Sequence, residues 1–195
     1  MKRREFITLL GGVAAAWPLA ARAQQEQMRR IGVLAGGAVA TDADTQERNA
    51  TLAKSLQQLG WVVGRNVQID FRYGVGNAAN TRKYAEELVA LSPDVVLASG
   101  LGALTPLLQA TRTVPIVFVA VTDPVGGGFV ESMARPGGNA TGFIQFEYSL
   151  SGKWLQLLKE IAPGVTRAAV LRDAATTARI GQFAVIQSVA SSIGG

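Results

Sequence analysis

Asp94-Val95-Val96-Leu97-Ala98-Ser99-Gly100-Leu101-Gly102 leads, through a helix-compatible run, to Val114-Pro115-Ile116-Val117-Phe118-Val119-Ala120-Val121-Thr122-Asp123-Pro124. The two apolar runs, residues 95–98 and 116–121, each close on small or polar residues, and residues 101–111 between them are able to form a helix. That is a β-α-β unit. Continuous Val- and Ile-rich runs without alternation suit parallel strands covered on both faces. Pro115 stands where the second strand starts, a place where a missing backbone donor does no harm. In open sheets of this kind ligands sit beyond the carboxyl ends of the strands, so Ser99-Gly100 and Thr122-Asp123 fall where a ligand would be met.

Upstream, Ile31-Gly32-Val33-Leu34 reads as a first strand, with Ala35-Gly36-Gly37-Ala38 as the loop above it. Asp42 or Asp44 can cap the next helix, whose Leu52, Leu56 and Leu59 have helical spacing and which stops at Gly60. Residues 66–73 alternate, with Val67, Ile69 and Phe71 on one side and Gln68, Asp70 and Arg72 on the other, the pattern of a half-exposed edge strand. Asn77 to Asn80 open another helix, with Tyr84, Leu88 and Leu91 as its stripe and Ser92-Pro93 as its end. Downstream, a Gly-rich turn leads to an expected helix over 129–134. Arg135-Pro136-Gly137-Gly138-Asn139 comes next as a turn, and residues 139–143 as a fifth strand. The reading is α/β: a doubly wound parallel sheet over residues 30–145.

The pattern then restarts. Residues 150–161 form an amphipathic helix carrying Leu155, Leu158 and Ile161, Pro163-Gly164 breaks it, residues 167–172 read as a strand and 177–193 as a helix. One strand cannot bury its own faces. Residues 146–195 are therefore expected to be the start of a second α/β lobe, incomplete here or completed by dimerisation.

Residues 1–23 read as a secretory signal, with basic Lys2-Arg3-Arg4, an apolar run and the small-x-small site Ala21-Arg22-Ala23; 24–29 would be a flexible leader. Arg3-Arg4-Glu5-Phe6-Ile7 fits the twin-arginine pattern, with general secretion as the alternative route. The expected destination is the periplasm.

Of the formal charge of +5, +3 lies in these first 23 residues, so the high pI is no argument for nucleic acid, and no basic stripe interleaved with aromatics is present. The sequence has no Cys and no His. Disulfides, thiol nucleophiles, the common zinc sites and a Ser-His-Asp triad are excluded, as is a lipid-modified cysteine. No carboxylate pair at fixed spacing suggests acid-base work, so neither an enzyme nor a bound cofactor is expected.

Three loops are candidates for ligand contact. Gly36-Gly37 lacks both the dinucleotide and the Walker patterns, and either offers backbone amides to an anion or is a plain tight turn. Ser99-Gly100 combines a hydroxyl with bare amides at a helix start, or Ser99 merely caps its own helix. Thr122-Asp123 places a carboxylate at a strand end, for a ligand ammonium or for capping the next helix. Phe143, Phe146 and Tyr148, just beyond the fifth strand, either stack on a ligand or belong to the core.

The signal segment from Arg3 to Gln24, Pro115-Ile116-Val117-Phe118, Asp123-Pro124 and Arg135-Pro136-Gly137-Gly138-Asn139-Ala140-Thr141-Gly142 together resemble the substrate-binding proteins of ABC transporters, in particular the tryptophan/tyrosine-type group. The resemblance covers nearly the whole chain. It implies a type I periplasmic-binding-protein-like fold, with the first lobe complete and the second partial, that closes on a small ligand and presents it to an ABC permease in the inner membrane. It also implies ligand contacts from the loops after the first, third and fourth strands, which here hold Gly36, Gly37, Ser99, Gly100, Thr122 and Asp123. An amino acid is the favoured ligand, Ser99 and Asp123 serving its carboxylate and ammonium. With a partial second wall, weak or absent binding is expected. An exported flavodoxin-like or other small α/β redox enzyme is the competing reading, and a receptor-docking sensory module a third.

Overall fold

The computed structural model describes residues 28–171 and 178–193. The signal and leader therefore lie outside the described residues. Five strands, β1 (Arg29–Ala35), β2 (Val67–Tyr73), β3 (Val95–Ser99), β4 (Ile116–Val121) and β5 (Ala140–Ile144), form one sheet in the order β2-β1-β3-β4-β5. Every pairing is parallel. Among the described residues, five helices accompany them: α1 (Ala43–Gln58), α2 (Ala78–Ala90), α3 (Leu101–Ala110), α4 (Leu150–Ile161) and α5 (Ala178–Ile193).

The core is built on one face of the sheet. Leu34, Val96, Ala98, Ile116 and Phe118 point to that face and are fully buried against Ala85 and Leu88 of α2 and Ala103, Leu104 and Leu107 of α3. Burying each of the larger side chains is worth about 1.5–3 kcal/mol, so this layer carries most of the fold. Tyr84 and Leu91 flank Leu88 and pack against the same cluster, as their spacing predicts. Asn77 caps α2, its side chain accepting from Asn80 N at 3.1 Å.

The opposite face is covered less completely. Ile31, Val95, Leu97, Val117 and Val119 are only half-buried. Helix α1 lies on this side, with Asn49 Nδ2 donating to Tyr73 Oη at 2.7 Å. Its stripe is correspondingly thin: Leu52 and Leu56 are half-buried, while Leu59 is exposed. Strand β2 is an edge strand, as its alternation predicts.

Two expected elements do not form. Residues 129–134 are bends and irregular backbone rather than a helix. Their amides reach forward: Glu131 N donates to Pro136 O at 3.0 Å and Ser132 N to Arg135 O at 3.2 Å. A helix needs the carbonyl four residues back, so the two patterns exclude each other. Residues 167–171 carry no strand either, because a strand requires a hydrogen-bonded neighbour and the described residues supply none.

At the amino edge of the sheet, Asp94 ties β3 to β1. Its Oδ1 accepts from Arg29 Nη1 at 2.6 Å and its Oδ2 from Arg30 N at 2.8 Å. The Arg30 amide first, and then the Arg29 guanidinium, hold this carboxyl below the usual carboxylate range. Stabilisation from a lowered carboxyl is present above the unfolded value of about 4 and is lost as pH falls through the folded one. Replacing Asp94→Asn is expected to cost about 1 kcal/mol at neutral pH, because the pair is solvent-exposed. In thermal melts the gap from wild type should start to narrow as pH falls below about 4, the unfolded value, and close only at the lower pH where folded Asp94 itself protonates. An undiminished gap at pH 3 would assign the effect to packing.

Candidate functional site

The order β2-β1-β3-β4-β5 reverses between β1 and β3, since the chain leaves β1 towards one edge and β3 towards the other. Loops diverge at such a switch point and leave a crevice above the carboxyl ends of the two strands. Gly36-Gly37 and Ser99-Gly100 stand on either side of it. Thr122-Asp123 lies after β4, the next strand along.

The loops are knitted through their backbones. Gly36 N donates to Ser99 O at 3.5 Å, Gly74 N to Ala35 O at 2.9 Å and Gly76 N to Gly36 O at 2.9 Å. A side chain at Gly36 would place its Cβ 2.9 Å from the Gly102 carbonyl carbon and 3.0 Å from Ala103 N, so the first loop sits directly on the mouth of α3. Gly37, one residue on, faces open space. The pair divides its work: Gly36 permits close approach, and Gly37 borders the crevice.

At α3 the cap is Gly100, at φ 81°, and Ser99 makes no capping bond. Ala103 N and Leu104 N close on Gly100 O at 3.1 and 3.2 Å. Leu101 and Gly102 supply the preceding amides of the first turn, which have no partner within the helix. Those amides and the half-buried Ser99 form a donor cluster at the positive end of a helix dipole, suited to a carboxylate.

Asp123 is differently engaged. Its Oδ1 accepts from Gly126 N at 2.7 Å and its Oδ2 from Tyr148 N at 3.2 Å. Both oxygens thus hold backbone. The aromatic residues after β5 separate in role: Phe146 meets Trp154 edge to face with centroids 5.5 Å apart, Tyr148 lies against Gly181 of α5, and Phe143 is exposed. Burial first, and the Asp123 carboxylate second, raise the Tyr148 phenol above its ordinary value.

One stretch of the rim is not among the sequence candidates. Gly74-Val75-Gly76, directly after β2, contacts the Gly36 loop, and a Cβ at Gly74 would run into Thr81 and Gly36 O. Val75 is exposed at φ 52°, a conformation that β-branched residues avoid. The available signal was a Gly-x-Gly at a strand end. Among the described residues no group of three or more His, Cys, Asp or Glu is placed to hold a metal ion.

This geometry has two measurable outcomes. Gly36→Ala should lower stability by about 1–3 kcal/mol, since backbone must shift, whereas Gly37→Ala should melt within about 0.5 kcal/mol of wild type; equal losses would contradict the division of work. Stability from the raised Tyr148 phenol is present below about pH 10 and lost as pH rises through the folded value. Asp123→Asn should move that titration down towards the ordinary value in ring-labelled NMR, and an unmoved titration would leave burial as its sole cause.

Comparison with known proteins agrees with this architecture. A family model described as ABC transporter substrate binding protein matches residues 34–194. A tyrosine-binding protein from Clostridioides difficile is 32% identical over 118 residues, which is 60% of this chain and 34% of that protein. Among solved structures, a conserved domain protein from Vibrio cholerae superposes with a TM-score of 0.75 at 27% identity, over 86% of this chain and 55% of the other. A Streptococcus ABC domain in complex with L-Trp gives 0.73 at 25% identity, over 85% and 54%. This chain therefore spans about half, or less, of the length of these relatives. A leucine binding protein from Thermotoga maritima, at 13% identity and a TM-score of 0.63, shares the fold, which is that of type I periplasmic binding proteins. Proteins of this kind bind solutes and catalyse no reaction. With the family model spanning nearly all of the described residues, the chain belongs to the ABC transporter substrate binding proteins.

Proposed function

We propose that this protein is the solute-binding component of an ABC importer, taking an amino acid above the carboxyl edge of its sheet and presenting it to an inner-membrane permease from the periplasm. The observation that carries this reading is the switch point between β1 and β3, where the Gly36-Gly37 loop rests on the mouth of α3 beside Ser99 and Gly100. An α-carboxylate fits there, receiving the Leu101 and Gly102 amides and the Ser99 hydroxyl. Thr122 and Asp123 follow the neighbouring strand β4, and the Asp123 carboxylate, beyond its two backbone bonds, can still accept from the ammonium. The relatives described as tyrosine-binding and as complexed with L-Trp favour an aromatic side chain. Delivery from the periplasm is supported by the signal-like residues 1–23. No described helix is long and apolar enough to cross a membrane.

In this mechanism the ligand shifts a conformational equilibrium. A solute touching walls on both lobes stabilises the closed arrangement by its differential affinity, and a permease that prefers the closed form reads occupancy from it. Among the described residues after 145, α4 and α5 are the elements available to such a second wall.

Thermal melts of the protein with L-Trp, L-Tyr, L-Leu and L-Ile, alongside the D-enantiomers, test the reading by mass action on the folded state. A rise in Tm with an L-aromatic amino acid is expected. Ser99→Ala should weaken that ligand about tenfold, the worth of one hydrogen bond to a charged group. Binding with unchanged affinity in Ser99→Ala would remove the carboxylate site from α3, and no shift with any amino acid would overturn the ligand class.

A further inference from the structure

Residues 145–148 leave the sheet through three consecutive hydrogen bonds. Gln145 N donates to Val121 O at 3.0 Å and Asp123 N to Phe146 O at 3.0 Å, continuing the β4–β5 ladder past its last paired residues. The third bond, Tyr148 N to Asp123 Oδ2 at 3.2 Å, uses a side chain where a backbone carbonyl would continue the ladder. The ladder stops there, and α4 starts at Leu150.

The local backbone is arranged around that carboxylate. Register slips between Phe118 and Val121, and Ala120 and Asp123 stand at φ 55° and 40°, a region unusual for residues other than glycine. Gly126 has room for no side chain on this side, since a Cβ would lie 2.9 Å from the Asp123 carboxylate. Beyond the third bond, the Tyr148 ring lies against Gly181 of α5, and α5 packs closely on Gly152 of α4 through Val185 and Val189. A continuous series of contacts thus runs from the end of β4 to both helices of the next segment.

We propose that Asp123 is the positioning residue of the interlobe connection: its carboxylate pins the Tyr148 amide and so sets the direction in which α4 and α5 leave the first lobe. The role concerns ligand-free geometry and stands whether or not an amino acid is the ligand.

The test uses the whole chain without ligand. Asp123→Ala removes the acceptor, and Gly126→Ala displaces the carboxylate while retaining the aspartate. In both, amide exchange over residues 145–150 should rise by about tenfold, the worth of one hydrogen bond to a charged group, while peptides from β1 and β3 keep their protection. Because the sequence holds no Cys, spin labels at Lys54→Cys on α1 and Gln156→Cys on α4 report one distance, which should broaden or shift in both variants. Unchanged exchange at residues 145–150, an unchanged distance distribution, or a uniform rise in exchange across the sheet would each overturn the proposal, the last by showing a general loss of stability.

Discussion

The parallel pairing of β1 with β3 is the constraint on which the rest of the molecule depends. It brings Leu34 beside Ala98 in the core layer and Ala35 beside Ser99 at the carboxyl edge. The first pair closes the core over α2 and α3; the second places two loops of different origin side by side. Because β2 and β4 continue on opposite sides of this pair, the helices after β1 and β3 go to opposite faces, and the crevice between the loops is a product of topology. The same bond network that stabilises the sheet therefore builds the rim of loops at its carboxyl edge.

Glycine placement at that rim reflects close backbone approach. Gly36 touches the start of α3 and Gly74 touches the Gly36 carbonyl, so three loops are packed main chain against main chain. Donors held this way need little rearrangement on binding, which lowers the ordering cost of recognition. The half-buried face of the sheet has the opposite character. Ile31, Val95, Leu97, Val117 and Val119 make a surface that α1 covers only in part, while Trp154, Leu157 and Ile161 leave an apolar stripe exposed on α4. These two surfaces, rather than the packed core, are where further stabilisation of the fold is to be gained.

Much of the architecture was legible because the apolar runs are unambiguous. The central strands carry β-branched residues without alternation, β2 alternates as an edge strand should, and Asn77 is a cap that works locally. The misreadings share a cause. Residues 129–134 have helix-compatible side chains, but the Pro136 and Arg135 carbonyls capture the amides of Glu131 and Ser132 from ahead. Residues 167–171 have strand-like side chains without a described partner strand. In each case a backbone partner decided the outcome, and side-chain pattern carries no record of which partner is present.

The candidate site divides along the same line. The proposal of ligand contacts at Gly36-Gly37, Ser99-Gly100 and Thr122-Asp123 came from strand ends and small residues, both visible in the chain. Sequence alone left open whether Ser99 caps its helix and what Asp123 holds. The tertiary structure assigned the cap to Gly100 and committed both Asp123 oxygens to the amides of Gly126 and Tyr148. It also added the Gly74-Val75-Gly76 loop to the rim. The sequence by itself determined the alternation of strands and helices, because periodicity is a local property of burial. Only the folded chain decided which polar groups remain available, because hydrogen-bond partners are chosen by spatial neighbours that the sequence separates.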